Sequence, residues 1–101
     1  MSWAYYENQT EMWGFARGII QNGKPMGQAI KTLEETTELI DAINKGDQKA
    51  IKDACGDILV TVLMQCAIQG FTATEALAAA YAEIKDRKGF LTPEGIFIKE
   101  A

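Results

Sequence analysis

Histidine is absent from this 101-residue chain. That absence excludes a serine–histidine triad, a histidine general base and any histidine-bound zinc. Cysteine occurs only twice, at Cys55 and Cys66. Placed on one helix, the two lie roughly 16 Å apart along its axis, too far for a disulfide within the chain. They read as buried, reduced thiols of a cytosolic protein, and two cysteines alone close no zinc site. Positive charge is also scarce: ten Lys and Arg face fourteen Asp and Glu, for a net charge of -4 and a pI near 4.7. A nucleic-acid binder needs a basic footprint, and this chain has none. None of the nine glycines belongs to a Gly-x-x-x-x-Gly-Lys-Ser/Thr loop, which excludes P-loop chemistry. The N-terminus lacks the charged start and apolar run of a secretion signal. The longest apolar stretch, Ile58 to Ile68, contains Thr61 and Gln65 and falls far short of the roughly 20 residues that span a bilayer.

What remains is ordinary globular composition, 48% hydrophobic and 24% charged. The length supports a single domain over residues 1–101. A domain this small buries only about 60–65% of its extended surface, so a partner subunit is expected to help. Turn signals divide the chain. Asn22-Gly23-Lys24-Pro25 is a turn, Gly46 and Gly70 are helix stops, and Asp47 and Thr72 are N-cap residues. This punctuation predicts an all-α fold of four helices over roughly 3–21, 26–45, 48–69 and 73–88. The tail, 89–101, is extended or forms a short strand or hairpin.

On the second predicted helix, Met26, Ala29, Ile30, Leu33, Thr37, Ile40 and Ile43 share one side at helical spacing. The third is apolar nearly all the way round from Ile58 to Ile68, so it must be covered on every side. Three other helices of one short chain scarcely suffice, and the expected solution is a homo-oligomer, a dimer or a dimer of dimers.

Seven of the fourteen acidic residues crowd between positions 34 and 57. Glu35 and Glu38 are three apart, which places them on one helix face; Asp53 and Asp57 are four apart on the next helix. A short turn makes the two helices antiparallel neighbours, so these pairs converge across one seam. Clustered carboxylates repel one another and resist desolvation, and a bound cation removes that penalty. An all-oxygen donor set selects Mg²⁺, or Mn²⁺, over zinc or copper. Glu34 and Asp41 also suit a solvated face. Asp57 opens the most apolar stretch beside Gly56, and a buried carboxylate there needs a partner.

The run Lys31-Thr32-Leu33-Glu34-Glu35-Thr36-Thr37-Glu38-Leu39-Ile40-Asp41, followed by Gly56-Asp57-Ile58-Leu59-Val60, resembles the MazG-type nucleoside triphosphate pyrophosphohydrolases. These are all-α proteins whose pattern is Glu-x-x-Glu-Leu on one helix and Glu-x-x-Asp on the next. The resemblance is good over roughly 26–69, and the C-terminal segment is similar to that of small stand-alone members. It implies a four-helix, homo-oligomeric bundle that hydrolyses (deoxy)nucleoside triphosphates to monophosphate and pyrophosphate with Mg²⁺, as nucleotide-pool house-cleaning. Glu35, Glu38 and Asp57 then supply metal binding and catalysis. One family position departs: the Glu of Glu-x-x-Asp is Ala54 here, which binds no metal. The site then uses three carboxylates and more water, or recruits Asp53 or Glu34.

With neither His nor an activated Cys, water is the expected nucleophile, and Glu38 or Glu35 its general base. Lys85, Arg87 and Lys88 suit either phosphate binding or charge capping of the last helix, and Lys31 is a further phosphate candidate. Trp13 and Phe15 are the aromatic candidates for stacking on a base. Two alternatives stay open: a phosphoribosyl-ATP pyrophosphatase-like enzyme, and a catalytically inactive helical oligomer that binds nucleotide or protein, which Ala54 favours.

Overall fold

Local capping fixes most helix ends. In the computed structural model, which describes residues 1–100, α1 spans Trp3–Ala16, with the Ser2 hydroxyl accepting from the Tyr5 amide. The short α2 spans Ile19–Asn22 and α3 spans Pro25–Lys45, with proline in its first turn, where a missing N–H costs nothing. α4 covers Gln48–Gln69, and its N-cap Asp47 accepts from the Ala50 amide at 3.1 Å. α5 covers Ala73–Ile84 behind a capping box in which Thr72 and Glu75 satisfy each other's backbone amides. Strands β1 (Gly89–Leu91) and β2 (Phe97–Lys99) close an antiparallel hairpin with Phe90 opposite Ile98.

The chain is mostly helical, as expected, but among the described residues there are five helical segments rather than four. The first predicted helix breaks at Gly18, which adopts a left-handed φ of 78° and starts α2. The last helix ends at Ile84, four residues early, and the tail is a hairpin. No single helix among the described residues is long and apolar enough to cross a membrane. α4 and α5 turn by 98° at the Gly70–Thr72 connection.

The antiparallel α3–α4 pair is the centre of the fold, and part of its seam is polar. Thr32 Oγ1 donates to Thr61 Oγ1 at 2.8 Å, and Thr61 donates onward to the Ile58 carbonyl at 2.7 Å. Gln65 Nε2 donates to the Pro25 carbonyl at 2.8 Å. Glu35 and Ala42 of α3, with Ala54 and Thr61 of α4, are buried there or beside it. α1 crosses α4 where Gly14 lies against Met64, close enough that a methyl group on Gly14 would overlap the thioether. At its other end α1 is tied to the start of α5. Trp3 Nε1 donates to Thr74 Oγ1 at 2.7 Å, and Glu7 accepts from the Thr74 amide at 2.9 Å.

Burial in the single chain is sparse, and it overturns the expectation that both cysteines are buried. The stripe Met26, Ile30, Leu33, Ile40 and Ile43 does not face the α3–α4 seam; it points outward and is more than half exposed in the single chain. The seam instead takes Gln28, Thr32, Glu35 and Ala42, a different face of the same helix. In the single chain α4 leaves Leu59 and Val62 exposed. Cys66 is buried, but Cys55 is exposed. Only five apolar side chains are buried among the described residues: Ala42, Ala54, Leu63, Met64 and Cys66. The radius of gyration is 15.7 Å, against about 13 Å for a self-contained domain of this length.

Candidate metal centre

Two helices build the acidic centre. Lys31, Glu34, Glu35 and Glu38 occupy successive turns of α3, and Asp57 comes from α4 across the seam. One carboxylate oxygen from each of Glu35, Glu38 and Asp57 lies within 4.8 Å of the other two. The burial is the reverse of the expectation from sequence. Asp57 is exposed and Glu35 is the buried member, 8% exposed. Asp57 sits on the outward edge of α4, whereas Glu35 sits on the α3 face that meets α4.

Glu35 also carries an unmet demand. Its Oε2 is shielded from solvent and has no hydrogen-bond partner, while its Oε1 faces the Lys31 ammonium at 3.6 Å. An unsatisfied buried carboxylate oxygen is costly. Three hard oxygen donors around it fit Mg²⁺ or Mn²⁺ in type, with water completing the shell. The neighbours perturb one another. Glu38 is held above its ordinary carboxylate range, first because its protonated form donates a hydrogen bond to Glu35, then by the Glu35 charge, its own desolvation and Asp57. Lys31 is also raised, by its hydrogen bond to Glu34 and then by the charges of Glu34 and Glu35.

A cleft of about 420 Å³ opens beside the carboxylates. Lys31, Glu35 and Asp57 form its polar end, and Trp13, Ile19, Val60 and Met64 its apolar wall, with Gln28 and Thr61 between. A second hollow of about 380 Å³ shares Trp13, Asp57 and Val60 and adds Gln9 and Thr10. Trp13 therefore stands between two recesses that both reach Asp57. Gln9, Thr10 and Gln28 were not singled out from the sequence; nothing in a single polar side chain marks it as lining a cleft.

The remaining candidates fall elsewhere. Glu34 is exposed and pairs with Lys31 at 3.2 Å. Asp53 is exposed and outside the carboxylate cluster, being four residues, about one turn, before Asp57. Ala54 is 4% exposed and brings no oxygen. Phe15 is exposed and lines neither recess. Lys85, Arg87 and Lys88 follow the end of α5. Arg87 and Lys88 line a separate surface groove with Glu83, Asp86 and Glu100, and none of the three lines either recess by Asp57.

The chain is 33% identical over 54 residues to a protein of Haemophilus phage HP1 named as an uncharacterized 18.2 kDa protein in the rep-hol intergenic region. That match covers 54% of this chain and spans about a third of the phage protein's length. No solved structure matches. Residues 27–90, which carry Lys31, all three clustered carboxylates and the α3–α4 seam, match the model of the MazG nucleotide pyrophosphohydrolase domain, and the chain belongs to that family.

Proposed function

We propose that the chain is a Mg²⁺-dependent hydrolase that splits (deoxy)nucleoside triphosphates into monophosphate and pyrophosphate. The observation that carries this reading is the buried, unpartnered Oε2 of Glu35 inside a three-carboxylate cluster at the polar end of a cleft. Glu35, Glu38 and Asp57 would hold the cation, with Mn²⁺ as a substitute. When bound, a divalent cation neutralises phosphate charge and lowers the pKa of coordinated water. Glu38 is an exposed member of the cluster and has heightened proton affinity. It is the residue placed to take the proton from the attacking water as the anhydride between the α- and β-phosphates breaks. Lys31, on the cleft wall, supplies positive charge toward the phosphates. Trp13 offers a flat apolar face to the base.

The exposed stripe on α3, with Leu59, Val62, Leu77 and Tyr81, supports assembly of at least two copies. So does a radius of gyration above that of a closed domain. A second copy is also the route by which Lys85, Arg87 and Lys88 would reach a triphosphate. Substrates are nucleotides rather than nucleic acid.

The deciding experiment measures pyrophosphate release from a panel of NTPs and dNTPs with Mg²⁺, alongside EDTA and Glu38→Ala controls. Release that disappears in both controls is the expected outcome and ranks the substrates. Folded, Mg²⁺-supplied protein that releases none from any nucleotide would refute the hydrolase reading. The missing oxygen at Ala54 would then favour a helical oligomer that binds nucleotide without turnover.

A further inference from the structure

The ion pairs among the described residues both belong to Lys31. Its ammonium lies 3.2 Å from Glu34 Oε2 and 3.6 Å from Glu35 Oε1. Only the first distance approaches a full hydrogen bond. Glu34 is thus the stronger partner and is well exposed, whereas Glu35 is the buried member of the carboxylate cluster. A lysine ammonium is a compact charge with three donors on a flexible stem, so it can leave one carboxylate while keeping the other. Lys31 also lines the cleft next to Asp57.

We propose that Lys31 is a built-in competitor for the divalent cation, and that Glu34 is a positioning residue that holds Lys31 when the cation takes Glu35. The inference rests on the metal-site reading above. In the metal-free chain Lys31 partly neutralises Glu35. A dication at the cluster repels that ammonium, which then keeps only Glu34 and remains on the cleft wall facing the phosphates. A triphosphate that engages Lys31 removes the competitor from Glu35, so metal and nucleotide strengthen each other's binding, reciprocally as linkage requires. Glu34 acts through Lys31 and is not a metal ligand.

The test is Mn²⁺ binding to the full chain at fixed, near-physiological salt, followed by the electron paramagnetic resonance of free Mn²⁺ without nucleotide. Lys31→Met is expected to bind Mn²⁺ about twofold to fivefold more tightly than wild type, the scale of an ion pair at an accessible site. Glu34→Gln is expected to bind more weakly, because Lys31 then leans on Glu35. In a Lys31→Met background the effect of Glu34→Gln should shrink to the slight loss that one screened surface charge produces. A non-hydrolysable triphosphate analogue should tighten Mn²⁺ binding more in wild type than in Lys31→Met. Unchanged or weaker binding by Lys31→Met overturns the competitor role. A Glu34→Gln effect of undiminished size in the double variant would make Glu34 a ligand and overturn its positioning role. Failure of the metal site itself looks different: wild type and Glu35→Gln would then be equally unable to bind Mn²⁺. Lys31 and Glu34 are exposed and Glu35 is buried, and coincident circular dichroism spectra check that all variants are folded.

Discussion

Glu35→Gln makes two opposite demands on one measurement. Glu35 is 8% exposed, with one carboxylate oxygen unpartnered. A buried unsatisfied polar group costs about 1–3 kcal/mol, and more when charged. The isosteric amide removes the charge and keeps the shape. In EDTA, Glu35→Gln should therefore be more stable than wild type by about 1 kcal/mol, or roughly 4–8 °C in Tm for a domain of this size. Its lost pair with Lys31 takes back part of that gain, and Lys31 keeps Glu34. With metal the order inverts. Mg²⁺ at a hundred times its Kd stabilises the native state by about 2.7 kcal/mol, which corresponds to roughly 11–22 °C. Wild type should show that rise and Glu35→Gln should not. Differential scanning calorimetry at one protein concentration, with EDTA and then with excess Mg²⁺, gives both readings. A variant less stable than wild type in EDTA, or one that keeps the Mg²⁺-induced rise, would refute the reasoning from the orphaned oxygen.

Met64 is 1% exposed and lies beneath Gly14, so Met64→Ala should cost about 2–5 kcal/mol in urea denaturation. Trp13→Ala should raise the KM for nucleotide severalfold while Trp13→Phe largely restores it, and Phe15→Ala should leave KM unchanged. Glu38 has its proton affinity raised in the folded, metal-free chain. A raised folded pKa gives stability that is complete below the unfolded value and is lost as pH rises through the folded one. In EDTA, Glu38→Gln should therefore raise Tm at pH 7, and the gain should fade below about pH 4.5. Leu33→Lys, on the outward stripe, should shift the molar mass from light scattering toward that of one chain, and unchanged mass would place the contact elsewhere.

Parts of this structure are legible in the sequence because they are local. Asp47, Thr72, Gly46 and Gly70 end their helices through the next few backbone groups alone, and the sequence displays those groups. Glu35 and Glu38 share a face through helical spacing, and the short turn at Gly46 returns α4 so that Asp57 meets them. Gly18 was not legible as a break, since a glycine inside a helical pattern is compatible with either outcome. The facing of α3 was hidden for a different reason. Periodicity identifies an apolar stripe but not whether its own chain or another covers it. Here the polar residues Gln28, Thr32 and Glu35 take the intramolecular seam, and the apolar stripe is left outside. For the same reason Asp57, beside an apolar run, looks buried in the sequence and is exposed in the fold. The destination of Lys85, Arg87 and Lys88 depends on the 98° turn between α4 and α5, an angle that no local signal encodes.

The hydroxyl pair Thr32–Thr61 has a consequence for how tightly the two ligand-bearing helices are indexed. An oily seam between helices tolerates slippage, because one methyl replaces another at small cost. Directional groups resist it: sliding α3 by a single turn, about 5.4 Å, would break the Thr32–Thr61 bond and free the Gln65 amide from the Pro25 carbonyl together, leaving each hydroxyl only a carbonyl of its own helix. The same slide would carry Glu35 and Glu38 past Asp57. The threonines thus work as a key in a slot, one layer along the seam from the carboxylates. They surrender some hydrophobic cohesion, and the three acids keep a common address.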